Sequence, residues 1–174
     1  MNVSEYIFDY LYKQGVRHVF YLSGGGCMYL VDALGRSKIE GVPMLHEQAA
    51  GIAAEAYGQY TGLGVCLVTT GPGATNAITG VLSAWIDSVP LLVISGQVKT
   101  ADSMEGTWLR QKGVQEADII SMVESITNYS FKIKRADEVG TRLEIALYNA
   151  MNHRKGGVWL DIPLDIQNEN ITTR

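Results

Sequence analysis

The chain has 174 residues, 47% of them apolar and 18% charged, with a formal net charge of −4. That length and apolar fraction suit one folded domain with a substantial core and exclude an intrinsically disordered chain. The slight acidity favours neither nucleic acid nor an anionic membrane surface as a partner.

No basic start precedes an apolar h-region, and no apolar run approaches the length of a bilayer span. Cys27 and Cys66 lie in separate apolar segments without metal-ligand spacing, and His18, His46 and His153 are scattered. The expectation is a cytoplasmic protein with reduced thiols, no membrane contact and no metal site of its own.

In chain order, Asn2 can cap a first helix, with Glu5 as its capping-box partner. Val3, Ile7, Tyr10 and Leu11 keep the helical period, and Gly15 ends it. Residues 16–22 read as a strand running into a Ser23-Gly24-Gly25-Gly26 turn, and a second helix covers roughly residues 27–34. Residues 41–46 read as a short strand that ends beside Glu47. The helix that follows is rich in small residues (Ala49, Ala50, Gly51, Ala53, Ala54, Ala56). A helix apolar on nearly every side is usually buried. Glu47 therefore stands where a strand hands over to a helix, at the mouth of a tightly packed and partly dry interface. A glutamate in a first helical turn also suits the helix dipole without any further purpose.

Residues 62–64 turn the chain. Residues 65–69 form a continuous apolar run, as in a strand covered on both faces. This run delivers the turn Thr70-Gly71-Pro72-Gly73-Ala74-Thr75-Asn76, and a helix then continues to about Asp87. Residues 90–95 form another buried strand ending in Gly96-Gln97. Residues 98–113 are polar and aperiodic, a surface loop or short helix with Trp108 in its middle. Ile119, Ile120, Val123 and Ile126 suggest one more helix, and residues 129–133 a strand. Val139, Leu143, Ala146, Leu147, Ala150 and Met151 keep one apolar stripe. His153, Arg154 and Lys155 suit the end of that helix, and Gly156-Gly157 stop it. Residues 158–162 are the final strand, closed by Pro163.

Strands alternating with helices predict an α/β fold: an open, mostly parallel sheet of about six strands with helices on both faces. Residues 1–167 read as one domain, and the polar residues 168–174 as the start of a connection to another.

Three turns should gather at one edge of this sheet: residues 23–27, His46-Glu47, and residues 70–76. Two are glycine-rich, which lets a flat ligand or a phosphate approach the backbone. Gly71-Pro72-Gly73 sits after a strand and before a helix, as a dinucleotide-binding loop does. Against that, Asn76 takes the third glycine position, Pro72 lacks an N–H, and no carboxylate ends the next strand.

Six segments occur in the order and at the spacing of a known family. They are Phe-Tyr-Leu-Ser-Gly-Gly-Gly-Cys-Met at 20–28, His46-Glu47-Gln48-Ala49-Ala50, Gly71-Pro72-Gly73-Ala74-Thr75-Asn76, Asp87-Ser88-Val89-Pro90, Ser95-Gly96-Gln97, and residues 156–167. Together they resemble the N-terminal, pyrimidine-binding domain of the thiamine diphosphate enzymes, in the acetolactate synthase-like group. The resemblance covers nearly the whole chain.

The resemblance implies that Glu47 hydrogen-bonds the ring nitrogen N1′ of the cofactor's aminopyrimidine. Proton sharing there favours the imino tautomer, which removes the thiazolium C2 proton, and the ylid attacks a 2-keto acid such as pyruvate. The chemistry wants a carboxyl able to exchange a proton near neutrality. By the same resemblance Gly24, Gly25 and Gly26 line the cofactor and the reacting carbon. Thr70, Gly71, Pro72, Gly73 and Asn76 pack near the pyrimidine, and Gln115 orients the keto acid. Ser23 stands where acetolactate synthases usually have Pro, and Cys27 where they often have Ser, which leaves the acceptor open.

The family's second α/β domain holds the diphosphate through Mg2+ and carries a Gly-Asp-Gly signature, which does not occur here. The resemblance therefore implies half of an active site, completed by the diphosphate-binding domain of a partner subunit in a homodimer or tetramer. It also implies that the chain alone is inactive, and FAD is possible in the full-length enzyme. Two other classes stay open from the residues alone: a doubly wound nucleotide-binding module, and a dimerisation domain without catalysis. In those, residues 24–26 are an ordinary turn, Asn76 bonds only local backbone, and Gln115 is an exposed helix residue.

Overall fold

Asn2 accepts a hydrogen bond from the Glu5 amide at 2.9 Å, and the Glu5 carboxylate accepts one from the Asn2 amide at 3.0 Å. This capping box starts α1 (Val3–Lys13). The computed structural model describes residues 1–171. Its strands are β1 (His18–Tyr21), β2 (Glu40–Pro43), β3 (Gly64–Val68), β4 (Leu91–Gln97), β5 (Tyr129–Lys132) and β6 (Gly157–Pro163). The other helices are α2 (Met28–Arg36), α3 (Glu47–Thr61), α4 (Pro72–Asn76), α5 (Ile78–Asp87), α6 (Ile119–Val123), α7 (Val139–Met151) and α8 (Leu164–Gln167).

The strands form one sheet in the order β2-β1-β3-β4-β6-β5, and every neighbouring pair is parallel. The predicted α/β architecture is therefore the one observed. Strands β3, β4 and β6 are buried along their whole length, as their unbroken apolar runs require. Ile7, Phe8 and Leu11 of α1, Leu30 of α2, and Leu143 and Leu147 of α7 pack one face against Val65, Leu67 and Leu160. Ala50 and Ala54 of α3, Val81 and Ala84 of α5, and Ile119 of α6 pack the other against Cys66, Val93 and Trp159. Each large aliphatic side chain removed from water contributes about 1.5–3 kcal/mol.

The strand order reverses between β1 and β3. In an open parallel sheet the crevice outside the carboxyl ends of such strands is where ligands bind.

Several local expectations are corrected. The second strand ends at Pro43 and not at His46. It is an edge strand paired only with β1, and Tyr21, the last residue of β1, is already opposite Pro43. Beyond that pair one backbone bond remains, from Met44 N to the Tyr21 carbonyl at 2.8 Å, and the next residue, Leu45, stands wholly exposed. The first strand is likewise shorter than residues 16–22. Helix α2 starts one residue later, after a 3-10 turn at Gly25–Cys27. Residues 72–76, expected within a turn, make a short helix with Pro72 at its first position, where a missing N–H costs nothing. Helix α3 is not buried all round: Ile52, Ala56 and Tyr60 face outward, while Gly51 lets it cross Gly80 of α5 backbone to backbone. The helix expected over 119–126 stops at Val123 and tightens into a 3-10 turn. Helix α7 ends at Met151, before the basic residues; Arg154 donates to Ser88 Oγ at 3.0 Å instead.

Gln167 is fully buried, and Asn170 bridges antiparallel to Asn2. Residues 172–174 lie outside the described residues.

Candidate functional site

The sheet brings the three turns together. Strand β1 delivers residues 24–27, strand β3 delivers Thr69, Thr70 and Gly71, and the loop after β2 delivers Glu47 as the first residue of α3. His46 caps that helix, its Nδ1 accepting from the Gln48 amide at 3.1 Å.

Glu47 is 9% exposed. Its Oε2 accepts from Asn76 Nδ2 at 3.0 Å. No donor among the described residues reaches Oε1. That oxygen lies beside the Gly73 corner, 3.2 Å from where a Cβ on residue 73 would stand. A side chain at 73 would fill the space in front of the carboxyl. Cys66 lies behind it, and burial, with the Glu47 carboxylate as a second cause, pushes that thiol up to about 12. Cys66 therefore stays protonated and inert.

Thr69 joins the corners. Its hydroxyl accepts the Gly26 N–H at 3.1 Å, and its side chain sits 2.5 Å from the places where Cβ atoms on Gly24 and Gly73 would stand. Sequence reasoning singled out Thr70 and missed Thr69. The available signal was its place as the last residue of the β3 run, between two glycine turns. The Thr70 hydroxyl is buried against the Gly26 Cα without a partner. Gly25 faces open space.

Gly71 has φ +57 and ψ −114, and a Cβ there would overlap the Gln115 carbonyl. Gln115 is thus brought to the third corner through its backbone. Its side chain is exposed, and its own φ is +57. The residue beside it carries the buried role. Glu116 accepts from Met104 N at 2.7 Å, Ser103 Oγ at 3.0 Å, and Lys112 N and Gly113 N at 3.1 Å. Burial works to raise this carboxyl, but these donors outweigh it and hold Glu116 below the ordinary carboxylate range. The long 103–116 loop is folded around it, with Trp108 wholly exposed at its tip.

A buried polar chain supports the same edge. Trp159 Nε1 donates to Ser95 Oγ at 2.8 Å, and Ser95 donates to Asp161 Oδ1 at 2.6 Å. Gln97 Nε2 donates to Asp161 Oδ2 at 2.9 Å and to the Ala117 carbonyl at 3.0 Å, which ties the end of the loop to the sheet. Burial pushes Asp161 up to about 7 against these donors.

Among the described residues no helix is long and apolar enough to cross a membrane. Residues 1–122 match the family described as thiamine pyrophosphate enzyme, N-terminal TPP binding domain. The chain is 41% identical over 168 residues to the acetolactate synthase large subunit of Buchnera aphidicola subsp. Schizaphis graminum, covering 95% of this chain and 28% of that one. It is 39% identical over 172 residues to the large subunit of Haemophilus influenzae, covering 98% and 29%. It is 39% identical over 170 residues to the isozyme 3 large subunit of Escherichia coli, covering 97% and 29%. The chain thus spans less than a third of the length of these relatives. A corner-bound carboxylate on this sheet and a family match over most of the chain agree: the chain belongs to the thiamine pyrophosphate enzymes, as an N-terminal TPP-binding domain of the acetolactate synthase-like group.

Proposed function

We propose that this domain supplies the proton-handling half of a thiamine diphosphate site in a 2-keto acid decarboxylase or carboligase, with a substrate such as pyruvate. One observation carries the reading: Glu47, a carboxylate only 9% exposed, keeps one oxygen, Oε1, accessible and without a donor among the described residues, beside the glycine corner at Gly73. The residues present fit the group. Gly24, Gly25, Gly26, Thr70, Gly71, Pro72, Gly73 and Asn76 would line its pyrimidine half, and Glu47 would meet ring nitrogen N1′. Bound thiamine diphosphate supplies the electron sink for decarboxylation.

The chain's own residues hold and move the proton. Asn76 fixes one Glu47 oxygen, so the other is the one that shares a proton with the ring. Gln115 lies at the same edge and would turn its exposed side chain toward the keto acid. The diphosphate and its Mg2+ would be held by the diphosphate-binding domain of a second subunit.

A homodimer or tetramer follows, with α3 and α5 as the joining face. Ile52, Tyr60, Leu82, Trp85 and Ile86 stand exposed on these two helices, a patch of the kind that marks a protein interface. We take residues 1–167 as the domain, 168–174 as the start of a connection, and the cytoplasm as its compartment; the free, buried Cys27 and Cys66 support a reducing location.

The test is Glu47→Gln in an enzyme assembled with a diphosphate-binding domain. Glutamine accepts from Asn76 but cannot exchange a proton. The expected result is a loss of about 10²–10⁴ in kcat, the usual weight of positioned proton transfer. Wild-type kcat in E47Q would refute the proposal. The chain by itself is expected to turn over no pyruvate and to bind thiamine diphosphate weakly.

A further inference from the structure

Gln167 ends α8 with no exposed surface. Its side-chain amide donates to the Gly26 carbonyl at 2.7 Å and to the Ile162 carbonyl at 2.8 Å. Both facing groups are acceptors, so only the nitrogen end of the amide can face them. The Oε1 at the other end is buried without a donor. A buried unpaired acceptor is costly, so this side chain gains nothing for itself at that end. What it secures is Gly26, 141 residues away in sequence.

Gly26 is held from three sides. Its N–H is taken by Thr69 Oγ1, and its carbonyl by Gln167. The backbone of β4 passes so close that a Cβ at Gly96 would overlap the same carbonyl. The Cys27 amide closes the turn on Gly24 O at 3.2 Å. Gly25, between these fixed points, is the one residue of the turn left facing open space.

We infer that Gln167 is a positioning residue: it locks the 24–27 turn, from the far end of the chain, in the shape that presents Gly25 to a ligand. The inference rests on the reading above in which this turn lines the cofactor. It adds that the turn's shape is set by α8 and is not inherent in its three glycines, whose backbones are the freest of any residue.

Cys27 reports on the lock. Its thiol is buried against Gly24 O at 3.4 Å, while Cys66 is buried in the middle of β3 and opens only with the core. The experiment compares alkylation of the two thiols by iodoacetamide under native conditions, read by peptide mass spectrometry. Gln167→Met keeps length and removes the donor; Gln167→Glu keeps shape and turns a donor into an acceptor. Loss of a bond to Gly26 is expected to raise the Cys27 rate about tenfold in Q167M with Cys66 unchanged. In Q167E at neutral pH the rise is at least as large. An unchanged Cys27 rate in Q167M overturns the inference, as does a parallel rise at both thiols, which would mean general destabilisation. E47Q, which tests the cofactor reading, is expected to leave the Cys27 rate at its wild-type value, so the two readings fail separately.

Discussion

Asn76 Nδ2 donates to Glu47 Oε2 at 3.0 Å, joining the start of α3 to the end of α4 across 29 residues of sequence. A carboxylate with one oxygen fixed has only one left to offer, and its direction is set. Removing the donor lets the group rotate and spreads its proton exchange over two oxygens. In the assembled enzyme Asn76→Ala is therefore expected to lower kcat by roughly tenfold, about the worth of one hydrogen bond to a charged group. Asn76→Asp should do more harm, because two carboxylates at this separation cannot both ionise. Steady-state kinetics decide it. An N76A enzyme as fast as wild type would show that Glu47 needs no orientation.

Gly71 carries the strain of the third corner. Its dihedrals lie where side chains rarely go, and a Cβ would overlap the Gln115 carbonyl. Gly71→Ala is expected to cost roughly 1–3 kcal/mol from backbone strain alone. For a domain of this size that lowers Tm by about 2–4 °C per kcal/mol. Gly25→Ala is the control, since nothing stands within 4 Å of its Cβ position; its change should stay within ~0.5 kcal/mol. Calorimetry showing equal Tm values for G71A and G25A would remove Gly71 from the list of constrained positions.

Local chemistry was readable in the sequence wherever neighbours in the chain decide the outcome. The Asn2–Glu5 capping box, the buried runs of β3, β4 and β6, and the gathering of three turns at one edge all follow from short-range pattern and strand polarity. Strand β2 read two to three residues too long because its end is set by β1, its one partner. The exposed face of α3 was hidden because Ala and Gly carry little periodicity. The roles of Thr69 and of the buried Gln167 were invisible for a different reason. Their partner is Gly26, 43 and 141 residues away, and no spacing rule reaches that far. Gln115 attracted attention by likeness, whereas the donors converge on Glu116 next to it.

Glu116 makes the 103–116 loop sensitive to acid. Its folded-state carboxyl holds a proton more weakly than the same group in the unfolded chain. The stability it contributes is complete above the ordinary glutamate value of about 4.3 and is lost as pH falls through its lower folded value. The protection of amides across residues 103–116, measured against their intrinsic exchange at each pH, should fall on that descent in the wild type. Glu116→Gln, with an amide nitrogen facing N–H donors, should exchange fast already at pH 7 and lose most of the acid response. Matching profiles for the two proteins would mean that the loop is held by something other than this carboxylate.

Asp161 titrates with the opposite sign. Burial dominates and pushes it up to about 7, although Ser95 and Gln97 each donate to it. The folded chain therefore binds this proton more tightly than the unfolded chain, whose aspartate titrates near 3.9. The stability contributed is complete below about pH 4 and is lost as pH rises through about 7. Asp161→Asn removes the titration but sets an amide nitrogen against Gln97 Nε2, which cannot turn without releasing the Ala117 carbonyl. D161N should thus be less stable than wild type in mild acid, with the gap narrowing toward neutral pH. Thermal denaturation between about pH 4 and 8 measures it, in a window above the one where Glu116 acts. Parallel Tm profiles for D161N and wild type would show that Asp161 is already ionised throughout, held so by the Ser95 and Gln97 donors.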